Sequence, residues 1–378
     1  MNHKSFALPW LIAAALLVVM MPLPAMAQPD YSGQWTQLSA GWSEKVERTF
    51  HTSVYSPSTN RLIVFGGSVL GTTLDDLWIL SNANGLGGTP NWVKQTPLGV
   101  IPPARSRHTA VYDAATDRMI VFGGCTSFCT PALNDVWVLK NASGIKPPMW
   151  QQLLPAGPWP GQREVATAVY DPGTNTMIVY GGDNGFPGGT FYDVWVLSHA
   201  NGLGGTPQWN QLSPMGGPPA GGGQRWHSAV YDPINNIMTT FGGYNNNDMI
   251  INETWTLTHA NGIGGTPMWA KMDVDYGDCP VRTSHRAVYD PIANTMTVFG
   301  GYNPDVGLMN DVWLLWNANG LGGSHGWMQL FPTGTLPVPR ATPSLNLDPV
   351  TNRLIMFGGN AQEGYTFTTW VLTHGNGM

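Results

Sequence analysis

The sequence predicts an all-β protein made of six copies of one four-stranded unit, and three observations carry the prediction. The first is an apolar run ending in a double glycine, as in Met119-Ile120-Val121-Phe122-Gly123-Gly124, which returns at 62–67, 177–182, 238–243, 296–301 and 354–359. The leading glycines stand at 66, 123, 181, 242, 300 and 358, so the copies are spaced by 57, 58, 61, 58 and 58 residues. Self-similarity at a fixed period outranks any local signal. The second is composition: 47 glycines, 31 prolines and only 11% charged residues suit short strands joined by tight turns rather than helices. The third is an arithmetic of ends. The sixth copy stops after its third strand, near 372, while an unclaimed fourth-type strand, 35–38, precedes the first copy.

The second copy serves for all. Strand A, 105–113, has a polar start and then β-branched and aromatic residues; a turn at 114–117 leads to strand B, 119–124. After a variable loop comes strand C, 134–139, then a glycine-rich linker and strand D, 150–153. Each run has strand length, is bounded by turn residues and shows no helical periodicity. In the A–B turn Asp171-Pro172-Gly173-Thr174-Asn175 the proline presets φ and Asn175 tolerates the left-handed conformation of a tight hairpin. The same pattern recurs at 290–294 and 348–352. The C–D linkers 82–90, 199–207, 259–267 and 317–324 each carry Asn-Gly followed by Gly-Gly, a uniformity that points to shared structural geometry.

Arg105 and His108, then Ala110-Val111-Tyr112-Asp113, a strand into Gly-Gly, Asp135-Val136-Trp137 and a later Trp150 together resemble the kelch repeat, over residues 35–372. The resemblance implies a six-bladed β-propeller with four antiparallel strands per blade and strand A innermost. Residues 35–38 would then complete the last blade beside 369–372 and leave no long exposed edge. Kelch proteins include protein-binding modules, carbohydrate enzymes and sensors, so the fold does not name the function.

Lys4, an apolar run at 10–21 and Ala25-Met26-Ala27 read as a secretory signal peptide, 1–27, cleaved after Ala27. The run is short for a membrane helix and no second span follows, so the expectation is a secreted or periplasmic propeller over 28–378. A net charge of −6 without a basic stripe argues against nucleic acid. Cys125, Cys129 and Cys279 suit an oxidising compartment and leave one thiol over. The pair Cys125–Cys129 is preferred because the two share one loop, whereas Cys279 enters blade 5, across the ring from blade 2.

Strands alternate in direction, so the B–C and D–A loops share one face. That face varies between units, and variable loops on a rigid scaffold are where binding lives. Arg48, Arg105, Arg163, Arg225, Arg282 and Arg340 open the six A strands. They read either as a cationic ring for a carboxylate-bearing ligand or as braces to carbonyls and to the carboxylates before strand C. Arg107 and Arg286 occur in single units and are better ligand candidates. His51, His108, His227 and His285 sit near the start of strand A, replaced by Ala166 and Pro343; with no clustered Cys or carboxylate, a hydrogen-bonded structural role suits them better than a metal ring. The oxygen-rich 273–278 lacks the spacing of a calcium loop.

Twelve of the 17 tryptophans belong to strands C and D and read as packing. Trp42, Trp159 and Trp226 fall in or beside D–A loops and, with Tyr244, Tyr276 and Tyr302, offer aromatic faces for a sugar or a peptide. The reading is a non-catalytic module that binds a glycan or a protein through this face, with no cofactor or metal. The alternative is a carbohydrate-active enzyme. Copper-radical galactose oxidases share the repeat, but no position here maps onto their Tyr–Cys cross-link; secreted six-bladed sialic-acid epimerases match in blade number and compartment.

Overall fold

The computed structural model describes residues 32–41, 47–126, 132–185, 189–217 and 219–377. The expected signal peptide, Trp42 and Cys129 lie outside the described residues. The A strands Thr52–Ser56, Thr109–Asp113, Thr167–Asp171, Ser228–Asp232, Arg286–Asp290 and Ser344–Asp348 each lead an antiparallel sheet in the order A-B-C-D. The six A strands touch one another in cyclic order, the last against the first, and so ring a central channel.

Strand B explains why the repeat is so legible. Leu62, Ile63, Val64 and Phe65 are all buried, without the polar–apolar alternation of a one-sided sheet. Alternate residues enter opposite interfaces: Ile63 and Phe65 pack with Met119, Trp137 and Trp150 of blade 2, while Leu62 and Val64 pack with Ile355 and Phe357 of blade 6. Among the described residues the core is therefore not one mass but six clusters, one between each pair of neighbouring blades.

The double glycine has a backbone reason. Gly123 and Gly124 have φ of 64° and 86°, where a Cβ is disfavoured, and a Cβ on Gly123 would lie 2.7 Å from Arg163 O of the next blade. Gly124 N donates to that same oxygen at 2.9 Å. The motif is thus an inter-blade seam.

Gln34–Gln37 pairs antiparallel with Thr369–Thr373, with Trp35 opposite Leu372 and Gln37 opposite Trp370. Trp35 is 2% exposed and meets Phe299 of blade 5 edge-on at 5.4 Å. Its outer side takes Thr333–Gly334 in parallel, as the outer strands of blades 1 to 5 take Gly41, Leu98, Ala156, Met215 and Tyr276.

The face of the A–B turns is one repeated clasp. Asn201 of blade 3 donates to Asp113 of blade 2 at 2.7 Å, and Asn261, Asn319, Asn376 and Asn84 reach Asp171, Asp232, Asp290 and Asp348 in the same way. Where blade 2 has Ser143 instead of the asparagine, blade 1 has Ser56 instead of the aspartate, so the two changes match.

Two expectations are corrected. The A strands begin four residues later than read: in blade 2 at Thr109 rather than Arg105, because Arg107 has φ 56° and breaks the extended run. In blade 5 the stretch expected as a variable loop between strands B and C is mostly strand: Thr295–Asn303 and Gly307–Trp316 extend one hairpin, with an irregularity between Phe299 and Gly301.

Candidate functional site

At the channel mouth each A strand is entered through a left-handed residue, and none of the six is glycine. Phe50, Arg107, Val165, Trp226, Ser284 and Thr342 have φ of 57°, 56°, 50°, 57°, 60° and 55°. Such backbone costs roughly 1–2 kcal/mol per residue and must be held by its surroundings. The hold is a collar of hydrogen bonds between blades: Arg107 N to Phe50 O at 2.9 Å, Val165 to Arg107 at 3.0 Å, Trp226 to Val165 at 3.3 Å, Ser284 to Trp226 at 3.0 Å and Thr342 to Ser284 at 2.8 Å. Five of the six collar residues, all but Val165, line one cavity at the mouth.

Three of them meet. The Phe50 and Trp226 rings come from opposite blades and lie edge to face, 5.5 Å apart. The Arg107 guanidinium stands 5.0 Å from the first and 5.2 Å from the second. Its Nη1 also donates to Glu164 Oε1 at 2.9 Å. Burial pushes the Glu164 carboxyl up and Arg107 pulls it back, with a net upward shift. Around this trio a cavity of about 350 Å³ is lined further by Tyr244, Tyr302, Leu308 and Asn360. Beneath it the channel encloses about 200 Å³.

The arginine ring is a brace. Arg105 is fully buried, grips Asp135 through both Nη atoms at 2.8 Å and donates to Gly123 O at 3.0 Å. Arg48, Arg163 and Arg282 treat Asp76, Asp193 and Asp311 alike. Burial alone would raise Asp76, Asp135 and Asp193; the arginine fork and the Nε1–H of the following Trp78, Trp137 and Trp195 hold them below the usual carboxylate range. Arg340 lacks a carboxylate, donating instead to Gly358 O, Thr366 Oγ1 and Thr368 Oγ1.

Arg225 is not a member of this ring. Each brace donates to the glycine carbonyl 18 residues ahead, and in blade 4 the donor to Gly242 O is Gln224 Nε2, at 3.0 Å. Arg225 stands one residue on, paired with Asp248 at 2.6 Å and Asp183 at 3.4 Å, its guanidinium 5.0 Å from the Tyr244 ring. It belongs to the rim of the mouth.

The remaining candidates separate. Trp159 packs against the core between blades 2 and 3, away from the mouth, and Tyr276 stacks on Trp316 at the outer edge of blade 5. Asp275 and Asp278 turn to different partners, His325 N and Asn252 Nδ2. Phe50, Leu308 and Asn360 were missed; Phe50 follows an arginine by two residues, as Arg107 does, and that spacing was the available signal.

This repeat geometry agrees with the comparisons. A family model described as the KLHDC2/KLHL20/DRC7 Kelch-repeats domain matches residues 31–225 and 88–262. The chain belongs to the kelch-repeat family. Among curated proteins, this kelch propeller is 33% identical over 138 residues to Dynein regulatory complex subunit 7 of Chlamydomonas reinhardtii, covering 36% of the chain and 11% of that protein. It is 31% identical over 153 residues to Host cell factor homolog hcf-1 of Caenorhabditis elegans, covering 37% of the chain and 18% of that protein. The match thus spans less than a fifth of either relative. The solved structure of YjhT superposes with a TM-score of 0.58 at 15% identity, over 87% of this chain and 93% of that one, a likeness of fold alone.

Proposed function

We propose that this kelch propeller is a binding module whose B–C and D–A loop face takes a protein partner at the channel mouth. The observation that carries the reading is the mouth cavity of about 350 Å³, in which the Arg107 guanidinium lies against Phe50 and Trp226 and the wall is continued by Tyr244 and Tyr302. Aromatic rings and arginine are the residues that dominate binding energy at interfaces, and here they converge in one concave spot on a rigid scaffold. The same aromatic faces suit a sugar ring, which makes a glycan the second ligand class. The chain is proposed to work outside the cytoplasm, on the strength of the leader at 1–27, with Cys125 and Cys129 bridged in the B–C loop of blade 2.

Pull-down from extracellular or envelope material and a glycan array, each run with wild type and variants, test the reading. Trp226→Ala should abolish binding, whereas Trp159→Ala should leave it intact because that ring packs on the core. Equal binding by wild type and Trp226→Ala would remove the mouth as the site.

A further inference from the structure

One layer below the collar, the A strands present a hydroxyl to the channel wall: Thr52, Thr109, Thr167, Ser228 and Ser344, with Arg286 in that place in blade 5. Four of the hydroxyls are clamped by a histidine Nε2 from the following blade. Thr52 meets His108 at 2.7 Å, Thr167 meets His227 at 2.8 Å, Ser228 meets His285 at 2.8 Å and Ser344 meets His51 at 3.0 Å. Blades 3 and 6 carry Ala166 and Pro343 where the histidine belongs. The positions left without a clamp are therefore Thr109 and Arg286. They belong to blades 2 and 5, which stand opposite each other.

Arg286 is a poorly compensated cation. Its Nη1 donates to His285 O at 3.0 Å, and no carboxylate among the described residues pairs with it, in contrast to Arg48, Arg105, Arg163 and Arg282. Burial draws its pKa down to about 10. The titratable groups that feel it are His51 and His285, both held neutral chiefly by burial, and Arg286 pushes each further from protonation. A guanidinium has five N–H donors; one is spent on His285 O, and Arg286 is partly exposed where it lines the channel, so the others remain for an acceptor there. The wall beside it is made of Ala110, Ala168, Ala229 and Ala287, whose short side chains leave room within the channel volume of about 200 Å³.

We propose that the channel is an anion site in which the Arg286 fork takes a small carboxylate, on the scale of acetate, and the unclamped Thr109 hydroxyl donates to it from the opposite wall. The planar guanidinium matches a carboxylate through two parallel hydrogen bonds. Phe50, Arg107 and Trp226 cover the mouth above and favour a small ligand over a chain. The site lies inside the ring and stands or falls independently of partner binding at the loop face.

The test is calorimetric titration of the purified full chain with sodium acetate, in a bulky sulfonate buffer that also sets the ionic strength. Wild type should bind acetate saturably. Arg286→Gln and Arg286→Ser should weaken that binding at least about tenfold, and Thr109→Val by a few-fold. Arg286→Ser restores the hydroxyl of the other blades and removes a charge that no carboxylate among the described residues pairs with, so without acetate it should melt at or above wild type. Acetate should raise the melting temperature of wild type and leave Arg286→Ser unmoved. No saturable binding to wild type, or equal acetate affinity in Arg286→Ser, overturns the proposal.

Discussion

Phe50 and Trp226 are carried by blades that face each other across the ring, yet their side chains touch edge to face at 5.5 Å and span the channel mouth. The contact ties opposite sides of the propeller together without any backbone link between them. In a double-mutant cycle read by urea unfolding, Phe50→Ala and Trp226→Ala should therefore couple, by about 0.5–1.5 kcal/mol. Additive losses would mean that the rings do not support each other in solution.

Blade 6 lacks the carboxylate of the other braces. Thr368 stands where Asp76, Asp135, Asp193 and Asp311 stand, Arg340 has only neutral acceptors, and the Nε1–H of Trp370 finds no acceptor among the described residues. Burial draws Arg340 down to about 10. Thr368→Asp should supply both missing bonds at once and stabilise the protein by roughly 1–3 kcal/mol, the worth of hydrogen bonds to a charged group. A raised denaturation midpoint at neutral pH checks this; a lowered one would show that desolvating the new carboxylate outweighs its partners.

The same braces show what could be read beforehand. The period, strand order and terminal pairing were legible because each blade is sandwiched between two others. That demands apolar runs such as 62–65 and a glycine pair where the next blade's backbone passes. The site was less legible. A positive φ at Phe50 or Trp226 leaves no mark on residue type, since the collar rather than glycine sustains it. Gln224 escaped because an arginine lies beside it; only the constant step of 18 residues to the first glycine separates the two. The pairing of Arg286 with the gaps at Ala166 and Pro343 needed the ring to be closed in space.

The histidine clamps make stability depend on pH in a defined direction. Burial holds His51, His108 and His285 well below the ordinary imidazole range and His227 at about 3. Between those values and about 6.5 the unfolded chain binds more protons than the folded one, so stability is full above pH 6.5 and falls as pH drops. Each histidine contributes up to about 1.4 kcal/mol per pH unit in that window. Melting temperature should decline from pH 7 to pH 5, and less steeply in His108→Gln. The depressed aspartates Asp76, Asp135 and Asp193 add a second loss, in the same direction, below about pH 4. A flat profile from pH 7 to 5 would contradict the neutral buried rings.

Removing residues 28–38 strips blade 6 of its outer strand. The deletion exposes the free edge of Thr369–Thr373 and takes Trp35 out of the cluster it shares with Phe299, Leu354 and Trp370. Loss of a buried tryptophan alone costs about 3–5 kcal/mol. The truncated protein should melt far below the protein that keeps these residues and should self-associate through the open edge. Equal melting would show that blade 6 is complete without the N-terminal strand.

Cys279 and Cys125 differ in surroundings and should differ in chemistry. Cys279 is a free thiol, fully buried between blades 4 and 5 with Met296 and Trp327, and burial pushes it well above the ordinary thiol range despite Arg282 nearby. It should not react with a thiol reagent until the propeller unfolds. Cys125 begins the B–C loop of blade 2, its Sγ 3.6 Å from Ser106 Oγ, and the proposed bridge to Cys129 encloses only three residues. So small a loop has little chain entropy to recover, on the order of 2 kcal/mol at most. Cys125→Ser should therefore barely shift global melting while altering the shape of the loop. In native, unreduced protein a thiol assay should read zero, and after unfolding without reductant it should read one, mapped to Cys279. Three thiols would eliminate the loop bridge, and a peptide linking Cys279 to blade 2 would contradict the arrangement of the blades themselves.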